Sequence, residues 1–249
     1  MLPVSDFTYS SYINMLKLIQ NSGYSFASYH NYANYDLPCI MRHDIDFDVN
    51  AALRLAKRES EFSQNLTSTF FVLLSSNLYN VFSRETASSL NSILTLGHEI
   101  GLHFDETKYD CIKPESTINA VHEEAYILGK MLGIKIRAVS MHRPSKRSLE
   151  ADLRFKDMQN SYSQVFTREF KYLSDSRMHW RENVEELIAS QEYNKLHILT
   201  HPFWYSEERE ATKEKLLRFI TGANQERYDH MRSNFMNMEE FVHSEEVLP

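Results

Sequence analysis

The chain reads as an α/β protein built on parallel strands with helical crossovers, and three observations predict it. Strand-like and helix-like segments alternate about seven times along the 249 residues. The strand-like segments are short apolar runs, such as 67–74 (TSTFFVLL), of the kind buried on both faces. Their C-terminal ends carry Asp, His or Arg: Asp44 and Asp46, His103, His142 with Arg143, Asp175, and His201. In parallel sheets and barrels, chemistry gathers at those ends.

Residues 9–20 place Tyr12, Ile13, Leu16 and Ile19 at helical spacing, and Gly23 ends that helix. An aromatic, polar connector runs on to Pro38. The segment Cys39-Ile-Met-Arg-His-Asp-Ile-Asp46 is the first strand. Asp48 then caps a helix over 49–62 with a stripe through Ala52, Leu53, Leu55 and Ala56. Residues 67–74 are the second strand, and Ser83 caps a helix to Leu96, with Gly97 as its stop. The third strand spans 98–104, Pro114 opens a helix ended by Gly133, and 134–141 is the fourth strand. A short helix follows Ser148, and weaker strands lie near 162–166 and 170–173. Residues 184–190 are helical, and 196–200 (LHILT) are the last strand. From Glu207 onward the pattern is of charged amphipathic helices with a break near Gly222. No internal repeat, low-complexity tract or Pro/Gly/Ser linker appears, which favours one domain over 1–249.

Composition narrows the function. The hydrophobic fraction of 42% is enough for a core, and the 24% of charged residues is ordinary. A net charge of −7 argues against a nucleic-acid binder, which needs a basic face. Two cysteines, Cys39 and Cys111, without CxxC spacing, make neither a disulfide framework nor a thiolate zinc site, and both thiols are expected free. The first residues lack a basic n-region and a long apolar core, and no run approaches a membrane span of roughly 18 residues. A cytoplasmic protein is the expectation.

Asp44 and Asp46 alternate along a strand end, so both carboxylates can face one spot, where they repel unless a cation or proton lies between them. Read alone, they fit a helix cap and a solvated acid equally well. His98 and His103 are five apart on a strand, about 16 Å, too far to share a metal. His98 is therefore structural, and His103 reaches the site beside Asp46. Arg143 would neutralise a buried carboxylate cluster and keep Asp44 ionised. His142 suits either a metal ligand or a hydrogen-bonded wall. Leu199 and His201 share a face, which pairs an apolar contact for a small acyl group with a proton donor. His201 packed on Trp204 is the plainer alternative. Asp175 offers an orienting acid and Trp180 an aromatic wall for a sugar.

From Pro38 to Trp204 these motifs together resemble the polysaccharide deacetylase superfamily, of the NodB-homology or carbohydrate esterase family 4 type, in its divergent HDxD branch. The resemblance implies a distorted (β/α)7 barrel and a metal-dependent deacetylase. Its substrate would be an acylated amino sugar or related amine, as in making surface polysaccharides. It implies Asp44 as base, and Asp46 and His103 as ligands of a divalent metal, most simply zinc. Arg143-Pro144 would be the third motif, with Arg143 held by Asp175. Asp175 and Trp180 would be the fourth motif, and Leu199-Thr200-His201 the fifth, with His201 as acid. Leu199, Trp180, Pro144 and Trp204 would line the substrate. Two departures matter. Ile45 separates aspartates that the family has adjacent, so their roles could be exchanged. The family's second motif-two histidine falls on Thr107, leaving His142, Asp105 or Glu106 to supply the third ligand. Alternatives are a sugar-binding relic of the barrel without turnover and an amidohydrolase of a non-sugar amine.

Overall fold

The computed structural model describes residues 3–110 and 113–247, in two compact units, Met1–Glu207 and Glu208–Pro249. Cys111 lies outside the described residues, while Cys39 is a buried free thiol that burial pushes well above its ordinary range.

The first unit opens with α1 (Tyr9–Asn21), where Thr8 and Ser11 exchange backbone-to-hydroxyl bonds of 3.0 Å each as a capping box. Tyr12, Met15, Leu16 and Ile19 form its buried stripe. The connector that follows contains a short strand that its polar composition conceals, β1 (Ser25–Ala27), paired with β2 (Pro38–Ile45). Every residue of β2 is buried, as a strand covered on both faces must be. Asp48 accepts from the Asn50 N–H (2.8 Å) to cap α2 (Val49–Phe62). The chain then alternates β3 (Thr69–Leu73), α3 (Arg84–Thr95), β4 (Glu99–Phe104), α4 (Pro114–Leu132), β5 (Ala138–Met141) and α5 (Lys146–Glu150). It closes with β6 (Gln159–Asn160), β7 (Lys171–Ser174), α6 (Val184–Ser190) and β8 (Leu196–Thr200).

All pairings among these strands are parallel, in the order β6-β5-β4-β3-β2-β8-β7, with β1 beside β2. The sheet curls into a distorted, open barrel with helices outside. One face of the strands, with Phe70, Val72, Leu102, Phe104 and Val139, packs on Ala52, Ala56, Leu90, Ile93, Val121 and Leu128 of the helices. The inner face is plugged by Tyr29, Ile40, Phe71, Ala138, Phe166 and Phe170. Gly101 makes room for the plug, because a Cβ there would lie 2.6 Å from the Phe71 ring. Along β2 the inner positions pass from Ile40 through Arg42 to Asp44, so the barrel changes from apolar plug to polar mouth within five residues.

Several boundaries differ from expectation. The strand expected near 162–166 is instead β6 followed by a π-helical turn, Val165–Glu169. That turn swings Phe166 inward, 4.9 Å from the Tyr29 ring. β5 begins at Ala138 instead of 134, and the short helix starts before Ser148, capped by Ser145. In the second unit, α7 (Thr212–Asn234) runs straight through Gly222, whose cost of ~1 kcal/mol is borne by helix-forming neighbours. A last short helix, α8, covers Ser244–Val247. No helix among the described residues is long and apolar enough to cross a membrane.

Candidate metal and acid-base site

The mouth of the barrel gathers side chains from four strand ends. Asp46 follows β2, His103 lies in β4, His142 follows β5 and His201 follows β8. In the sheet, β3 lies between β2 and β4, so Asp46 and His103 are not on neighbouring strands, as the sequence reading had them. Curl brings them together: Asp46 Oδ1 lies 3.2 Å from His103 Nε2 and 3.4 Å from His142 Nδ1. The two imidazole nitrogens are 3.0 Å apart. The Nδ1–H of His103 donates to the Ser140 carbonyl (3.2 Å), which turns the Nε2 lone pair toward the other two atoms. Asp46 Oδ1 is buried and has no hydrogen-bond donor. An orphaned carboxylate oxygen facing two imidazole nitrogens is a donor set that fits a divalent cation, and it is the cluster of that kind among the described residues.

Asp105 and Glu106, the other candidates for a third ligand, are engaged elsewhere. Asp105 accepts from Thr107 N (3.0 Å) and Thr107 Oγ1 (2.7 Å), closing the turn after β4. Glu106 accepts from the Ser145 backbone and the Ser148 hydroxyl and so braces the start of α5.

Asp44 stands beside this set, its Oδ2 3.6 Å from His103 Nε2. Its guanidinium partner is Arg42, whose Nε and Nη2 donate to the two carboxylate oxygens at 2.9 and 2.7 Å. Arg42 is fully buried, lies over the rings of Phe71 and Tyr162 at 5.5 and 4.8 Å, and also donates to the Ser140 hydroxyl. Burial raises the Asp44 carboxyl, but Arg42, with His103 and His201, outweighs it and holds the group below its ordinary range. Arg143, expected in this role, is exposed, in a left-handed conformation with φ 49°.

Asp175 holds His201, not Arg143. Its Oδ1 accepts from His201 Nδ1 at 2.6 Å, both oxygens accept from the His201 backbone N–H at 3.0 Å, and the Tyr205 hydroxyl donates to Oδ2 at 3.2 Å. This fixes the ring with Nε2 toward the mouth, 3.8 Å from Asp46 Oδ2. Burial opposes the imidazolium, yet the Asp175 charge prevails, with help from Asp44 and Asp46, and lifts His201 to about 9. The Trp204 ring centroid is 6.4 Å from that of His201. Leu199 is buried one inner position below His201, and Trp180 is buried in the loop after β7. Pro144 is half-buried after His142.

Behind the sheet, the His43 side chain faces the opposite way from Asp44. His43 Nε2 donates to the buried Glu59 carboxylate (3.1 Å), and Thr200 Oγ1 donates to His43 Nδ1 (2.6 Å). Glu59 also accepts from Ser68 Oγ (2.7 Å) and Tyr12. His98 belongs to this outer layer: its Nδ1 accepts from Ser68 N (3.3 Å) and its Nε2 donates to the Ala56 carbonyl (3.1 Å). One buried carboxylate thus ties α1 and α2 to the strands that carry Asp44 and His201. Arg42, Tyr205, Ser140 and Glu59 were not singled out from sequence. Only Arg42 had a readable signal there, its i, i+2 spacing from Asp44 on a strand face.

No family model and no curated protein matches this chain. Solved structures do. A mutant of BA3943, a carbohydrate esterase family 4 pseudoenzyme of Bacillus anthracis with restored activity, is 13% identical with a TM-score of 0.45. The match covers 78% of this chain and 64% of that one. This chain therefore spans less than two thirds of the length of that pseudoenzyme. The Streptococcus pyogenes deacetylase PplD, in complex with acetate, is 12% identical with a TM-score of 0.43, over 85% of this chain and 86% of its own. A mutant of the peptidoglycan deacetylase PdaC from Bacillus subtilis is 14% identical with a TM-score of 0.42, over 82% and 96%. At these identities and TM-scores the likeness assigns no activity.

Proposed function

We propose that this chain is a metal-dependent amide hydrolase that removes an acetyl or similar acyl group from an amino sugar or related amine. The observation that carries this reading is the triangle of Asp46 Oδ1, His103 Nε2 and His142 Nδ1, with sides of 3.0, 3.2 and 3.4 Å. A tetrahedral zinc centre with bonds of ~2.0–2.1 Å sets its ligand atoms ~3.3 Å apart. Asp46, His103 and His142 would hold the ion. When bound, it would supply a Lewis acid for the scissile carbonyl and lower the pKa of water beside it.

The remaining work falls to the chain's own residues. Asp44, kept ionised by Arg42, takes the proton of the attacking water. His201, kept protonated by Asp175, offers its Nε2 proton to the departing amine nitrogen. Asp175 and Tyr205 hold that ring so the proton is delivered at one place. Leu199, just below His201, is the apolar contact for the acyl methyl. Trp180, Trp204 and Pro144 border the space for a sugar ring.

The test is acetate release from N-acetylated hexosamine oligomers by zinc-loaded protein. The reading expects release by the native chain and its loss in Asp44→Asn with zinc still bound. Full release by Asp44→Asn would remove Asp44 from the base role. A native chain that binds zinc and these sugars without releasing acetate would be a binding relic.

A further inference from the structure

At the opposite end of the barrel from the metal-ligand cluster lies a second concave site. Arg137 precedes β5 and His142 follows it, five residues or about 16 Å apart along the strand. A groove of about 950 Å³ runs between the C-terminal half of α4 and the segment after α5, and a smaller one of about 360 Å³ continues it toward Arg137. The two share Lys135, Asp157 and Met158, so they form one path along the surface.

The floor of this path is apolar. Ala125, Ile136 and Met158 are buried beneath it, and Gly129 lets α4 approach the following turn, where a Cβ would lie 2.7 Å from the Ile134 carbonyl. The rim is cationic. Lys130 and Lys156 border the larger part and Arg137 the smaller, all three exposed. None forms an ion pair within 4 Å among the described residues; Lys135 engages Asp157 at 3.1 Å, and Lys156 adds to the field that holds that carboxylate below its ordinary range. The Tyr126 ring, 67% exposed, stands at the edge with Lys130 Nζ 5.8 Å from its centroid.

We propose that this groove binds an anionic saccharide chain. A protein of net charge −7 repels polyanions over most of its surface, so four cations, Lys130, Lys135, Lys156 and Arg137, set against the single Asp157 carboxylate around one concavity are a local reversal with a matching ligand. Carboxylates on successive sugar units would meet Lys130, Lys156 and Arg137, while the apolar floor and the Tyr126 face take the C–H faces of the rings. A bilayer calls for a cluster of protruding apolar side chains, and here Tyr126 stands above a floor of Ala125, Ile136 and Met158 that is recessed. Nucleic acid needs a more extensive basic face than four cations supply.

The probe is a decamer of α-1,4-linked galacturonate, which carries carboxylates but no acylated amine and is no substrate for the proposed hydrolase. Binding is followed by titration calorimetry on the full chain, at low and moderate salt. The proposal expects saturable binding that weakens with salt. Lys130→Glu/Arg137→Glu/Lys156→Glu should weaken it at least about tenfold, and Tyr126→Ala should weaken it by less. The exposed control Lys17→Glu/Lys57→Glu/Arg181→Glu carries the same charge change and should bind as the native chain does. Should the triple variant misfold, the single changes Lys156→Ala and Tyr126→Ala read the same site. Absence of binding overturns the proposal, as does equal weakening by the control. Tighter binding of poly-glutamate or of phosphatidylglycerol vesicles than of the decamer overturns it too, in favour of a peptide or a membrane.

Discussion

A single guanidinium holds both oxygens of Asp44: that of Arg42, two residues earlier on the same strand, at 2.9 and 2.7 Å. Alternate strand residues share a face, so β2 builds this pair by itself, and the curled sheet only has to bury it. Stacking over Phe71 and Tyr162 and the bond to Ser140 offset part of the desolvation of a fully buried arginine.

Removing the arginine should therefore be costly. Arg42→Met leaves Asp44 buried without its cation and should lower unfolding free energy by about 3–5 kcal/mol in urea denaturation. Arg42→Lys keeps the charge without the fork and should recover only part of that loss. A loss in Arg42→Met of no more than about 1 kcal/mol, as for a surface pair, would mean that Asp44 is otherwise supported.

The acid step should titrate with His201. Asp175 holds the imidazolium up to about 9, so the proton is present at neutral pH and lost as pH rises through that value. The alkaline limb of kcat on an N-acyl amine should fall near there. Asp175→Asn withdraws the charge that raises the group, and the limb should move down toward the ordinary imidazole value of about 6.5. A limb that stays in place would show that another group sets it.

Gly101 tests the barrel interior. A Cβ at this position meets the Phe71 ring at 2.6 Å and the Ala138 carbonyl at 3.1 Å. Gly101→Val should destabilise by about 1–3 kcal/mol through overpacking, seen as a lowered Tm. Phe71→Leu in the same chain should restore part of it. A Gly101→Val protein as stable as the native chain would mean the plug has room that the packing does not suggest.

Much of this was legible in the sequence because helix caps and apolar runs are local signals. Asp48, Ser83 and Gly133 mark helix ends where expected, and β2, β3, β4 and β8 follow their apolar runs. What escaped depends on tertiary packing. β1 is three residues in a polar connector and exists because the start of β2, residues 38–40, lies ahead of the residues that pair with β3 and leaves that flank to it. Phe166 fills the barrel from a π-turn, although its neighbours read as a strand. At the site, the meeting of His103 with Asp46 was expected from neighbouring strands, but β3 lies between β2 and β4 and the curl of the sheet is what closes the distance. The sequence pointed to Arg143 as the partner of Asp44, whereas Arg42, two residues earlier on the same strand face, takes that place.

The central claim is that Asp46, His103 and His142 hold one cation between Asp44 and His201. Zinc content per chain, measured by mass spectrometry after dialysis of the native protein and of Asp46→Ala, His103→Ala and His142→Ala, tests it most directly. The account predicts about one zinc per native chain and loss of the metal in each folded variant, since each supplies one of three protein ligands. Full zinc content in His142→Ala or in Asp46→Ala would contradict it.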